Sequence, residues 1–116
     1  MTDKILFVCT MARMRSKTAA KILEPHFEVR YAGVSNSADH RLHHSDLEWA
    51  DQIIVFEKAH RNSIRKRYPE IYAEKKIECF YIEDIYEYMS PMLCMLIEQK
   101  INAFYGLKLT LQAVSE

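Results

Sequence analysis

The sequence has no apolar segment approaching the roughly 20 residues that a membrane-spanning helix needs. Its 16 basic and 16 acidic residues cancel, so charge alone predicts no attraction to nucleic acid or to a membrane surface. No secretory n-region or cleavage site precedes the strand-like residues 4–8. We therefore expect a cytoplasmic protein without nucleic-acid or membrane partners.

Cysteine is sparse as well, and no CxxC pair occurs. Cys9, Cys79 and Cys94 are odd in number and far apart in the sequence. This usage argues against a disulfide scaffold and favours a reducing compartment, in which one thiol could be reactive.

At 116 residues, about half of them apolar, the chain is predicted to form one domain over residues 1–116, with a tail at 106–116 whose role is open. Apolar or alternating runs predict strands at residues 4–8, 27–31, 52–56 and 77–81. Helical patterns start at Ser16 and cover residues 47–50, 57–67 and 91–105. This alternation predicts an α/β fold, a parallel sheet between two layers of helices. Residues 107–111 could be a strand, a helix extension or a subunit contact.

The loop after the first strand carries the main functional signal. Cys9 ends that strand, a helix begins near Ser16, and ligands of parallel sheets bind at the carboxyl ends of strands. Converging backbone N–H groups and a helix N-terminus would make an anion site there and stabilise a Cys9 thiolate as a nucleophile. The predicted phosphate-binding loop comprises Thr10, Met11, Ala12, Arg13 and Met14.

The spacing Cys-x5-Arg-Ser places Arg15 and Ser16 at the end of this loop. The Arg15 guanidinium could clasp two phosphate oxygens, and Ser16 could donate a hydrogen bond to the sulfur. Arg13 is expected to point outward. The alternative is a buried structural cysteine before a basic helix start. A nucleotide-binding loop is not supported, because its glycines and its Lys-Ser/Thr pair are missing.

Residues 4–19, with the run Ile5-Leu6-Phe7-Val8-Cys9 and the pair Arg15-Ser16, resemble the opening of the low-molecular-weight protein tyrosine phosphatases, and a short bacterial branch in particular. Shorter matches extend the resemblance to about residue 105: Ala32-Gly33, Trp49-Ala50-Asp51, Phe56-Glu57-Lys58, His60-Arg61-Asn62 and Tyr86-Glu87-Tyr88-Met89.

The resemblance implies a four-stranded parallel sheet in the order 2-1-3-4 with helices on both faces. It implies a phosphatase that acts on a phosphorylated protein or a small aryl phosphate, without cofactor or metal. Cys9 would be the nucleophile, Arg15 the phosphate clamp and Ser16 the partner of the thiolate.

The loop departs from the family pattern at three places. Met11-Ala12 replaces a Gly-Asn pair, Met14 replaces a second cysteine, and Lys17 replaces a proline. The missing glycine suggests a strained backbone, which costs roughly 1–2 kcal/mol in a left-handed residue.

Asp84, in the loop at residues 82–90, has the family's spacing for the general acid. Ile85 stands where a proline normally follows, and the neighbouring Glu83 is a competitor for the role. Tyr86 and Tyr88 could form a wall for an aryl substrate or could be half-buried packing.

Three further features, a basic stretch, a group of histidines and the two other cysteines, have both a structural and a functional interpretation. The basic stretch after the third strand could be a solvated helix face or could attract anions: Lys58, Arg61, Arg65, Lys66 and Arg67. His40, His43 and His44 fit no zinc pattern. Cys79 and Cys94 are predicted core residues, although they could be resolving thiols of an arsenate reductase. A catalytically weakened phosphate-binding or regulatory protein is the main alternative to a phosphatase.

Overall fold

Strands and helices alternate over residues 3–110, the part of the chain that this computed structural model describes. The strands are β1 (Lys4–Cys9), β2 (Glu28–Gly33), β3 (Gln52–Val55) and β4 (Ile77–Cys79). The helices are α1 (Arg15–Leu23), α2 (His44–Trp49), α3 (Lys58–Arg67), α4 (Pro69–Glu74) and α5 (Pro91–Tyr105). All strand pairs are parallel and the order is β2-β1-β3-β4, which confirms the predicted sheet.

Strand β1 lies in the middle of the sheet and is buried on both faces, which explains its unbroken apolar run. Ile5, Phe7 and Cys9 belong to a core cluster that includes residues of α1 and α5. Leu6 and Val8 belong to a second cluster, on the opposite face, with residues of α2, α3 and α4. The domain therefore has three layers, and Cys9 ends its central strand.

The sequence prediction missed helix α4. Pro69 follows the helix predicted at residues 57–67 and occupies the first turn of α4, a position that tolerates proline because no N–H is needed there. Strand β4 is shorter than predicted and ends at Cys79. Two residues later Tyr81 has a φ of 55°, a left-handed conformation that a strand cannot continue through.

Helix α5 has the predicted bounds. Ser90 accepts a hydrogen bond from the N–H of Leu93 at 3.1 Å, and Gly106 ends the helix with a φ of 65°. Beyond it, residues 107–110 are neither strand nor helix. The Asn102 side chain holds Leu109 there through two hydrogen bonds of 2.9 and 3.0 Å. Leu111 lies outside the described residues.

The helices of the described residues 3–110 include none with the length and apolar character required to cross a membrane.

Candidate active site

The loop between β1 and α1 is fixed by the segment that follows β2. The carbonyl oxygens of Cys9, Thr10 and Met11 each accept a hydrogen bond from a backbone N–H of residues 34–39, at 2.9 to 3.0 Å. Within the described part of the chain, the backbone N–H groups of residues 11–14 have no hydrogen-bond acceptor. The loop therefore offers its unpaired donors to a ligand, as an anion site requires.

The strained residue of this loop is Ala12, with a φ of 60°, and not Met11, at the position of the family's glycine. Ala12 is fully buried. The loop packs against Gly33, the partner of Cys9 in the sheet, where a Cβ atom would lie 2.5 Å from the Thr10 carbonyl oxygen and 2.9 Å from the Ala12 nitrogen. Only a glycine allows the end of β2 to approach the loop so closely.

Cys9 lies at the floor of a cavity of about 190 Å³. Its Sγ is 3.0 Å from the Ser16 Oγ, and the two side chains are 3% and 0% exposed. The hydroxyl can therefore donate a hydrogen bond to a thiolate in this position. The cavity is lined by Cys9, Thr10, Met11, Arg13, Met14, Arg15 and Asp84.

Arg15 is almost fully buried, with 1% of its side chain exposed. Its Nη1 donates hydrogen bonds to Glu57 Oε2 at 2.7 Å and to the Ile82 carbonyl at 2.9 Å, and its Nη2 lies 3.7 Å from Asp84 Oδ2. Accepting the hydrogen bond from Arg15 lowers the pKa of Glu57. The Arg15 Nε, also buried, has no hydrogen-bond partner among the described residues and is free to donate to an anion.

The two candidate acids separate in the structure. Asp84 lines the cavity with Cys9, and its side chain is 61% exposed. Asp84 also borders an adjoining cavity, which Glu83 lines with Phe56 and Tyr81. Asp84, unlike Glu83, therefore shares the cavity of Cys9, and its role as the acid stays a prediction.

The other predicted site residues lie at the rim of the cavity or away from it. Arg13 lies at the rim, half-exposed, and its Nε is 3.2 Å from Asp39 Oδ2. Tyr86 packs against the core, and the Tyr88 ring lies 4.8 Å from the Lys17 Nζ. Neither tyrosine lines the cavity, so the structure does not bring the expected substrate wall to it.

His60 is a site residue that the sequence reasoning missed. The side chain is 1% exposed, its Nε2 is 3.0 Å from Thr10 Oγ1, and its Nδ1 accepts from the backbone N–H groups of Phe56 and Glu57 at 3.2 and 3.1 Å. Burial, followed by the charge of Arg15, lowers the pKa of His60 to about 4. The sequence does place Glu57 and His60 just after the carboxyl end of β3. Ligands of parallel sheets bind at this end of the strands, so the position could have indicated a site residue.

Other candidate features lie away from the cavity. His40 packs its ring 4.7 Å from that of Tyr31, and residues 3–110 contain no group of three possible metal ligands. Cys79 and Cys94 are free thiols in opposite core clusters, and neither lines the cavity. Burial raises the pKa of Cys94.

No protein-family model and no curated protein matches the sequence. Solved structures do. The Streptococcus pyogenes low-molecular-weight protein tyrosine phosphatase is 13% identical with a TM-score of 0.74, over 90% of this chain and 92% of that one. The tyrosine phosphatase Wzb from Escherichia coli K30, in complex with phosphate, is 22% identical with a TM-score of 0.73, over 91% and 98%. The YwlE arginine phosphatase from Geobacillus stearothermophilus is 21% identical with a TM-score of 0.64, over 90% and 93%.

The chain has the fold of the low-molecular-weight protein tyrosine phosphatases. The resemblance seen in the sequence is thereby confirmed at the level of the fold.

Proposed function

We propose that the protein hydrolyses aryl phosphate monoesters, such as phosphotyrosine in a protein, through a cysteinyl-phosphate intermediate. The observation that carries the proposal is the convergence of Cys9, Arg15 and Asp84 on one cavity whose loop presents unpaired N–H groups. A nucleophile, an oxyanion clamp and an acid are the groups that this reaction needs.

In the first step the Cys9 thiolate attacks phosphorus in line with the ester oxygen. The S–P bond forms as the P–O bond breaks, while Arg15 and the N–H groups of residues 11–14 hold the equatorial oxygens. The carboxylic acid of Asp84 gives its proton to the departing phenoxide, which leaves poorly as an anion.

In the second step the Asp84 carboxylate takes a proton from water, and the water oxygen attacks phosphorus. The S–P bond breaks and inorganic phosphate is released. Ser16, 3.0 Å from the sulfur, donates its hydroxyl proton in a hydrogen bond to the returning thiolate. A stabilised thiolate is a better leaving group, so this contact assists the step.

The most direct test compares hydrolysis of p-nitrophenyl phosphate by the wild type and by Cys9→Ser, with a chelator present. We expect turnover by the wild type, unaffected by chelator, and none by the variant. A second measurement compares the rates of hydrolysis of a phosphotyrosine peptide and a phosphoarginine peptide, because an arginine phosphatase has a similar fold. We expect the phosphotyrosine peptide to be hydrolysed faster. Full activity of Cys9→Ser would contradict the proposed nucleophile.

A catalytically weakened phosphate-binding or regulatory protein is the second candidate. It is favoured by the exposure of Asp84, which no hydrogen bond among the described residues holds in place, and by Ala12, which supplies no polar side chain to its strained loop. Phosphate binding without hydrolysis would support it. The arsenate reductase alternative draws no support from Cys79 and Cys94, which lie in the core.

The proposal includes a reducing compartment, the cytoplasm. Its support is that Cys9, Cys79 and Cys94 are all free thiols, and that the mechanism needs Cys9 reduced.

A further inference from the structure

The geometry around His60 determines which residue donates the hydrogen bond between His60 and Thr10. Two backbone N–H groups, those of Phe56 and Glu57, point to the His60 Nδ1, and a backbone N–H can only donate. The Nδ1 therefore carries a lone pair. In the neutral imidazole the proton is then on Nε2, 3.0 Å from Thr10 Oγ1, so His60 donates and Thr10 accepts.

This direction leaves the hydroxyl proton of Thr10 available. One lone pair of Oγ1 is occupied by His60, and within residues 3–110 the hydroxyl has no other hydrogen-bond partner. Thr10 is half-buried and lines the cavity above Cys9. A hydroxyl that accepts a hydrogen bond on one side is polarised and becomes a better donor on the other.

We propose that Thr10 is a further oxyanion-binding residue and that His60 is the positioning residue that aims its hydroxyl at a phosphoryl oxygen. The resulting chain of hydrogen bonds runs from the backbone of Phe56 and Glu57 through His60 and Thr10 to the ligand. The proposal rests on the proposed function only in taking the ligand to be a phosphoryl group.

The arrangement is suited to the task because His60 is held on both sides. Its ring is 1% exposed and fixed by three hydrogen bonds, so its Nε2 is held where it can bond to Thr10 Oγ1. The neutral imidazole also adds no charge beside Arg15, and the lowered pKa of His60 keeps it neutral at physiological pH. A tether that only stabilises the loop is the alternative, and it predicts no effect of the hydroxyl on phosphate affinity.

Binding of inorganic phosphate, followed by titration calorimetry, tests the proposal without relying on turnover. Thr10→Val keeps the shape of the side chain and removes the donor, so the Kd for phosphate should rise about tenfold, the loss of one hydrogen bond to a charged group. Thr10→Ser retains the hydroxyl and should recover most of the affinity.

His60→Asn separates the two contacts of the ring. The shorter side chain can still accept from Phe56 and Glu57 but cannot reach Thr10, so the Kd should rise several-fold. In the double variant, His60→Asn should add little to Thr10→Val, because both changes remove the same directed donor. His44→Asn, at an exposed histidine beside Glu48, is the matched control and should bind as the wild type.

Unchanged phosphate affinity in a folded Thr10→Val would overturn the role of Thr10 and leave a tether. Fully additive effects of the two changes would overturn the role of His60. Phosphate binding without hydrolysis would sink the catalytic proposal while leaving this one intact, whereas a wild type that binds no phosphate would sink both.

Discussion

The two sides of the cavity differ in how firmly the structure holds them. On the phosphate side, the loop carbonyls are pinned by residues 34–39 and Arg15 is 1% exposed. On the opposite side, two hydrogen bonds hold the segment with the acid near its ends: Arg15 donates to the Ile82 carbonyl, and Thr18 Oγ1 accepts from the Met89 N–H. Between these anchors Asp84 is 61% exposed.

The two sides of the cavity would therefore serve different tasks, phosphate binding on one side and proton transfer on the other. The phosphate side is organised before any ligand arrives, so binding loses little free energy to ordering of the protein. Among the described residues Asp84 has no hydrogen-bond partner and only the contact of 3.7 Å with Arg15 Nη2, so we expect a bound substrate to position it. We therefore expect variants of the phosphate side to lose binding and turnover together, and variants of the acid side to lose turnover alone.

The largest effect should follow from Arg15→Lys. Lysine keeps the charge but cannot reproduce a planar fork that bonds at once to Glu57, the Ile82 carbonyl and an anion. We expect kcat/KM for p-nitrophenyl phosphate to fall about 10³-fold or more, together with a loss of phosphate affinity. Arg13→Lys is the matched control, because Arg13 lies half-exposed at the rim, and it should change either value less than about threefold. Equal losses would show that the clamp is misassigned.

Asp84→Asn should have the next largest effect and should test the acid side. Removal of the proton donor should lower kcat for phosphotyrosine by about 10²-fold or more, with phosphate affinity nearly unchanged. The loss should be smaller for aryl phosphates whose leaving groups need little protonation. Both quantities come from steady-state kinetics and from phosphate inhibition on the same samples.

Glu83→Gln is the control for the acid, since Glu83 lines the adjoining cavity, and it should leave these features intact. A strong loss that depends on the leaving group in Glu83→Gln, and not in Asp84→Asn, would move the acid by one residue. No such loss in either variant would favour the non-catalytic candidate.

Local signals explain what the sequence could predict. The phosphate loop was visible because Cys9, Arg15 and Ser16 are near neighbours in the chain, between a strand and a helix. The partners of this loop were not predicted, because Glu57 and His60 meet it across 42 and 50 residues. The placement of β3 beside β1 was expected, but the sequence does not show which side chains after β3 reach the loop. The wall for an aryl substrate stays a prediction, since Tyr86 packs against the core and the Tyr88 ring lies beside Lys17.

A third prediction concerns pH and the phosphate side. His60 has a pKa of about 4 in the folded protein and about 6.5 when unfolded, so between these values the unfolded chain binds more protons. The stability contribution of the neutral ring is thus complete above pH 6.5 and is lost as the pH falls toward 4, by up to about 3 kcal/mol.

The measurement is urea unfolding of the wild type and of His60→Asn between pH 4 and 7. The difference in unfolding free energy between the two proteins should shrink as the pH falls. The other charges around the ring, Arg15, Glu57 and Asp84, are present in both proteins. A difference independent of pH would show that the ring is not buried in its neutral form.

The smallest effect should come from Ala12→Gly, which tests where the phosphate loop is strained. Glycine removes the cost of a left-handed alanine, about 1–2 kcal/mol, but it loses a buried methyl and makes the unfolded chain more flexible. These terms nearly cancel, so the unfolding free energy should change by less than about 1 kcal/mol.

Met11→Gly, at the position of the family's glycine, relieves no strain because Met11 has no positive φ. It loses a half-buried side chain and should destabilise the protein by about 1–2 kcal/mol. Urea unfolding midpoints of the two variants decide the matter, since a larger loss in Ala12→Gly than in Met11→Gly would place the strain at residue 11, as the sequence had suggested.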